Sequence, residues 1–198
     1  MLGTGVVGTT LAGKLRELGH DVLIGSRTAS DDAVPFADAA AHGELVFNCT
    51  NGKVSLDALS AAGAENLAGK VLIDVSNALE FAEGRPPVIG VVVDDSLGER
   101  IQRAFPDARV VKALNTMNTN VMVDPDLVSG EHDVFMCGND AAAKARVAEL
   151  LQELGWPRER IVDLGDITAA RGQELYVAFW LRLMNAVGSP TFNIHVQQ

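Results

Sequence analysis

The chain has 198 residues, of which 47% are hydrophobic and 21% charged, and a formal net charge of −10. That length allows one domain, or a large domain with a small appendage, around a substantial core. The acidic balance argues against a general affinity for nucleic acid or anionic membrane. No apolar run approaches the roughly 20 residues of a membrane span. With no charged-then-apolar leader at its start, the chain reads as cytoplasmic.

The first eight residues carry the main motif. Gly3, Gly5 and Gly8 stand in the G-x-G-x-x-G spacing, followed by the helical pattern Leu11, Ala12, Leu15, Leu18 and the strand-like run Val22-Leu23-Ile24. A glycine turn, a helix and a second strand open a dinucleotide-binding unit, in which the helix N-terminus offers free N–H groups to a pyrophosphate. Only Met1 and Leu2 precede the turn, so the expectation is a first strand cut short, or a true start a few residues upstream.

The second strand ends in Gly25-Ser26-Arg27, where an NAD-binding unit usually places Asp or Glu on the ribose 2′-hydroxyl. A hydroxyl and a guanidinium suit a 2′-phosphate instead, which makes NADP the expected cofactor over a plain surface turn. Asp31 and Asp32 are read as loop and cap residues that would repel the phosphate if they folded back.

Further strands are expected at Glu44 to Thr50, Val71 to Val75 and Arg109 to Leu114, each emptying into a polar loop. Those loops are Thr50-Asn51-Gly52, Ser76-Asn77-Ala78 and Asn115-Thr116-Met117-Asn118. In a parallel sheet they share the ligand edge, and uncharged hydrogen-bonding groups suit a neutral ring with an amide, such as nicotinamide. Asn77 and Asn115 equally fit a turn that satisfies its own backbone.

Between these strands, Pro35 to His42 and Ser55 to Ala62 read as helices. Glu83 to Pro87 reads as a loop, Val88 to Val93 as a short strand, and Ser96 with Glu99 as a capping box. A strand at Val134 to Cys137 leads into a helix over Ala141 to Leu154, capped by Asn139 or Asp140. After a strand at Ile161 to Leu164, a long helix spans about Thr168 to Ala186, with Leu175, Phe179, Leu183 and Trp180 expected on buried faces. Thr191 to Val196 alternates like an edge strand.

Strand and helix alternate throughout, which predicts an α/β fold: a Rossmann-type, doubly wound, mainly parallel sheet. A softer boundary near Asn120 to Asp133 suggests a cofactor domain over 1–120 and a small α/β C-terminal lobe over 121–198. Cys49 and Cys137 sit in apolar runs and read as buried small hydrophobes, with a disulfide the minor reading. The four histidines lack metal-ligand spacing, so no metal is expected. No G-x-S-x-G elbow is present, which lowers the odds of a hydrolase.

Assembled, these residues make the chain resemble the NADPH-dependent reductases of the deazaflavin coenzyme F420 and their bacterial relatives. The resemblance rests on Gly3-Thr4-Gly5-Val6-Val7-Gly8, Gly25-Ser26-Arg27, Val110 to Thr116, Cys137-Gly138-Asn139-Asp140, Asp163-Leu164-Gly165-Asp166 and Ala170-Arg171. The same segments are similar to the cytoplasmic domain of membrane-bound metalloreductases that pass hydride from NADPH to flavin.

The resemblance implies hydride transfer between NADP(H) and a deazaflavin or flavin-like acceptor. Side chains would position the rings rather than react, so no catalytic residue is named. It implies Thr4, Val6 and Val7 at the pyrophosphate and adenosine, and Ser26 and Arg27 at the 2′-phosphate. Thr50, Asn51 and Asn77 would line the strand-end edge, with Asn115 and Thr116 at the nicotinamide. Archaeal members carry a histidine where this chain has Asn115, and a lysine near Thr28 to Asp32. Other small acceptors (a flavin, a ferric chelate, an imine) and a non-catalytic NADP-binding regulator are the alternative readings. The final helix is assigned to core or homodimer packing, and to a partner surface in the regulator.

Overall fold

A computed structural model describes residues 1–82, 85–89 and 94–197, and over 79–82 and 85–89 it describes the backbone path alone. The first helix, α1 (Val6–Glu17), follows the glycine turn and buries Gly8, Leu11, Ala12 and Leu15 along one face. Two short strands, β1 (Gly25–Ser26) and β2 (Val34–Pro35), pair in parallel. Helix α2 (Phe36–His42) leads to strand β3 (Leu45–Asn48), and helices α3 (Ser55–Ala62) and α4 (Ala64–Leu67) lead to β4 (Val71–Asp74). An antiparallel hairpin, β5 (Leu79–Ala82) and β6 (Arg85–Ile89), interrupts the alternation.

The second half continues with α5 (Leu97–Ala104), β7 (Arg109–Ala113), α6 (Thr119–Val123), β8 (Val134–Gly138), α7 (Ala141–Glu153), β9 (Ile161–Asp163) and α8 (Ala170–Val187). The main sheet has the order β3-β4-β7-β8-β9, parallel except where β8 runs antiparallel to β7. Leu2 bridges in parallel to both Gly25 and Asn48, so Met1-Leu2 stands between β1 and β3.

Alternation along the strands divides the core. Ile73, Val111 and Ala113 face a layer holding α1, α6 and α7, which includes the buried Trp156. Leu72 and Val110 face the opposite layer, with α2, α3 and α5. Burying a side chain such as Leu72 completely contributes about 2 kcal/mol. The result is helices on both faces of a mostly parallel α/β sheet, the Rossmann-type arrangement expected. β8 and β9 extend this same sheet beyond residue 121.

Several local expectations change. Val22 to Ile24 is not a regular strand; its carbonyls accept singly from Arg16, Met1 and Val34, and the ladder forms at Gly25–Ser26. Arg85 to Pro87 belongs to β6 rather than a loop, because prolines are tolerated on the unpaired side of an edge strand. Glu83-Gly84 and 90–93, part of the expected loop and strand, lie outside the described residues.

Ser96 Oγ accepts the Glu99 N–H at 3.1 Å, but the Glu99 carboxylate takes the Ser96 hydroxyl and Arg171 instead of closing the box. Asp140 caps α7, while Asn139 accepts the Ile167 N–H. Residues 191–196 form no strand. They are tied down by Asp133, whose N–H donates to the Ile194 carbonyl and whose carboxylate accepts the Val196 N–H.

The last helix differs most. Its buried face is Ala170, Gln173, Glu174 and Val177, so Leu175 and Phe179 point outward, at 41% and 58% exposure. The helix turns its polar Gln173-Glu174 pair inward because Lys112 and buried backbone groups wait there.

Candidate functional site

The parallel strands set the site. Asn48, Asp74 and Lys112 lie in register across β3, β4 and β7, so the loops after these strands emerge at one edge beside the glycine turn. At Gly3 the backbone adopts φ 117°, and an added Cβ would lie 2.9 Å from the Cys49 carbonyl oxygen. At Gly8 it would lie 2.2 Å from the Gly3 carbonyl oxygen. Both positions hold the turn tight against β3.

Gly5 is different, since a Cβ there would meet nothing within 4 Å. Its missing side chain leaves space open at the start of α1. That helix has neither a side-chain cap nor an acid in its first turn, so its first N–H groups remain available to an anion.

Beyond the turn opens a cavity of about 610 Å³ lined by Gly3, Thr4, Gly5, Ser26, Arg27, Thr50 and Asn51. Its wall also includes Cys49, Phe36, Val54 and Asp57. Ser26 Oγ accepts the Thr28 N–H at 3.2 Å, which shapes the turn that presents Arg27 outward. Asp31 and Asp32 line a separate depression with Arg16 and Ile24, so they do not crowd Arg27's cavity.

A second cavity, of about 330 Å³, shares Cys49, Thr50 and Asn51 with the first. Its lining includes Val7, Asn77, Asn115, Thr116 and, from α8, Val177, Trp180 and Leu181. Asn77 and Asn115 clasp one another. The Asn77 side-chain amide donates to the Asn115 carbonyl at 2.8 Å, and the Asn115 amide donates to Asn77 Oδ1 at 3.0 Å. The preceding residue, Leu114, holds the left-handed φ of 65°, a strained backbone for a branched side chain that costs about 1 kcal/mol or more. Two buried polar atoms of this lining, Thr116 Oγ1 and Trp180 Nε1, have no hydrogen-bond partner among the described residues. Such groups are costly unless something meets them.

Beneath this cavity lies a charged cluster that sequence reading missed. Lys112 Nζ is fully buried, 2.7 Å from Asp74 Oδ2, 3.0 Å from Glu174 Oε1 and 2.6 Å from the Ser76 carbonyl oxygen. Burial works against its charge, but the two carboxylates outweigh it and hold the lysine pKa above its usual value. Asp74 Oδ1 accepts from Asn48 and Ser76, and Asn48 Oδ1 in turn accepts the Thr50 hydroxyl. Glu174 also accepts the N–H groups of Leu97 and Gly98 at the start of α5. Nothing in the sequence signals this, because Asp74 and Lys112 stand inside the expected strands Val71 to Val75 and Arg109 to Leu114, and Glu174 lies on a helix far along the chain.

The candidate residues therefore gather in two adjoining spaces. Gly3, Thr4, Gly5, Ser26 and Arg27 border the first, Val7, Asn77, Asn115 and Thr116 the second, and Thr50 and Asn51 both. Val6, at 74% exposure, and Gly8, buried under the turn, line neither. Trp180 and Asp57 were not foreseen; neither stands in a motif.

Residues 1–78 match the family model described as NADP oxidoreductase, coenzyme F420-dependent. A solved structure from Arthrobacter sp. FB24, named only provisionally as an F420-dependent NADP reductase, is 50% identical. It aligns with 100% of this chain and 97% of its own, at a TM-score of 0.93. The chain belongs to this F420-dependent NADP oxidoreductase family.

Two curated relatives are more distant. The metalloreductase STEAP3 of Rattus norvegicus is 29% identical over 96% of this chain, and the F420-dependent NADP reductase of Methanocaldococcus jannaschii is 27% identical over 68% of it. The chain spans 38% and 59% of their respective lengths. Among the described residues, no helix is long and apolar enough to cross a membrane.

The family's cofactor fits the residues present. The open space at Gly5 would take a pyrophosphate, Ser26 and Arg27 a 2′-phosphate, and the unpartnered Thr116 hydroxyl and Trp180 N–H a carboxamide or ring oxygen.

Proposed function

We propose that this protein is an NADPH-dependent oxidoreductase that passes hydride between NADP(H) and a deazaflavin, coenzyme F420, or a flavin-like ring. The observation that carries the reading is the pair of cavities joined at Thr50 and Asn51. One begins at a guanidinium, and the other ends among uncharged hydrogen-bonding groups. Bound there, NADPH supplies a hydride from its nicotinamide ring.

The chain's own residues bind and orient. Arg27 and Ser26 grip the 2′-phosphate, and the N–H groups at the start of α1 meet the pyrophosphate. The mutual Asn77–Asn115 clasp fixes the loops that flank the ring, while Val177, Trp180 and Leu181 exclude water from the transfer space. Residues 121–198 supply that apolar wall, which supports their role in completing the acceptor site.

Mixing the protein with NADPH and purified F420 and following the deazaflavin's absorbance tests the reading. Reduction of F420 is expected. A folded protein that binds NADPH but leaves F420 oxidised would remove that acceptor, and a panel of flavin, ferric chelate and imine would then be compared. The outward Leu175, Phe179 and Val187 of α8 support a homodimer, with a doubled mass in light scattering as its expected sign.

A further inference from the structure

We infer that Lys112 is a positioning residue that sets the geometry of the nicotinamide-end cavity while leaving the adenine end alone. The inference rests on the proposed NADP reading. Three walls of the cavity converge on this one ammonium. It holds the Ser76 carbonyl at 2.6 Å, which fixes the backbone immediately before Asn77 and hence the Asn77–Asn115 clasp. It holds Asp74 at 2.7 Å, and Asp74 orients Asn48, which carries the Thr50 hydroxyl at 2.7 Å. It holds Glu174 at 3.0 Å, which seats α8 so that Val177 and Trp180 reach the cavity.

The neighbouring Gln173 strengthens the third tie. Its side-chain amide donates to the Phe135 carbonyl at 3.1 Å and lies 3.4 Å from Asn115 Oδ1, while its oxygen accepts from the Cys137 thiol. The Thr50 tie reaches only the span the two cavities share, and no described tie runs from Lys112 to Ser26 or Arg27. Ser26 and Arg27 sit on the β1 turn, whose hydrogen bonds run to Thr28 and Gly3.

A lysine suits this place better than any neutral residue. Its three donors match three acceptors, Asp74 and Ser76 at the end of β4 and Glu174 on α8, and its charge balances one of the two buried carboxylates. Asp74 meets the walls at Asn48 and Ser76, and Glu174 holds the wall on α8, so among these three charges Lys112 alone ties all three walls together.

The test compares the two ends of the cofactor. Lys112→Met alone leaves two buried carboxylates unbalanced. The principal variant is therefore the uncharged triple Asp74→Asn, Lys112→Met, Glu174→Gln, which keeps the volumes and removes the charges. Three readouts are taken: the affinity for adenosine 2′,5′-bisphosphate, the fluorescence change of NADPH's nicotinamide on binding, and the rate of F420 reduction by NADPH.

The expected result is bisphosphate affinity within twofold of the parent, a lost or altered nicotinamide signal, and turnover lower by about 100-fold, as for a misplacement of about 1 Å. Turnover within twofold of the parent would overturn the inference. So would a parallel loss of bisphosphate and nicotinamide binding, which marks a merely structural role. Should the triple variant not fold, Glu174→Gln decides. It leaves Lys112 paired with Asp74, and it is expected to lower turnover about tenfold at unchanged bisphosphate affinity, whereas no change would overturn the inference. A parent protein that fails to bind the bisphosphate would instead refute the NADP reading itself.

Discussion

The two ends of the site are built on opposite principles. The Ser26–Arg27 end is a short exposed turn whose ties are to its own neighbours, and its cavity is widened by a glycine with no side chain. The Asn115–Thr116 end rests on a fully buried ion cluster drawn from β4, β7 and α8, and it carries a strained residue, Leu114, at its rim. One end can be altered with little cost to the fold, and the other cannot. On the proposed reading, affinity and cofactor choice are separable from the geometry of transfer.

The largest expected effect is at the buried end. Lys112→Met leaves Asp74 and Glu174 facing each other without a cation, and urea unfolding is expected to show a loss of about 3–5 kcal/mol. A loss below about 1 kcal/mol would erase the contrast between the ends. Gly8→Ala comes next: its Cβ would strike the Gly3 carbonyl at 2.2 Å, so a loss of about 3 kcal/mol is expected, with weaker NADPH binding in a titration. Arg27→Ala is the converse probe. It should leave the melting temperature unchanged and cut the preference for NADPH over NADH by about 1–3 kcal/mol. An unchanged preference would place the 2′-phosphate elsewhere.

The same division governs what the sequence makes legible. The glycine turn and the Ser26-Arg27 pair are each contiguous, and their placement beside the first cavity follows from local backbone geometry, so spacing alone reveals it. The strand-end loops were also visible, because polar residues directly follow apolar runs. Lys112–Asp74–Glu174 was invisible: it forms only when two strands and a distant helix meet, and each residue alone looks like an ordinary surface charge. The orientation of α8 failed for the same reason. Its apolar residues surround the helix, and the inward Glu174, not the hydrophobic stripe, decides which face turns in.

The smallest expected effect concerns Cys137, buried beside Gln173, whose thiol burial pushes up to about 12. The folded protein should resist iodoacetamide at pH 8 at this position and react on unfolding in urea. The sign for stability follows. Above about pH 9 the unfolded chain releases this thiol proton while the folded chain keeps it, so the thiol's contribution falls as pH rises from 9 toward 12. Rapid alkylation of the folded protein would show that the core around Gln173 opens readily.

The central claim is that one NADP molecule spans both cavities. A crystal structure with NADP bound tests it most directly. The account predicts the 2′-phosphate on Ser26 and Arg27, the pyrophosphate over Gly5 at the start of α1, and the nicotinamide beside Thr116 and Trp180. A cofactor bound in the reverse sense, or confined to the first cavity with its nicotinamide in solvent, would contradict it.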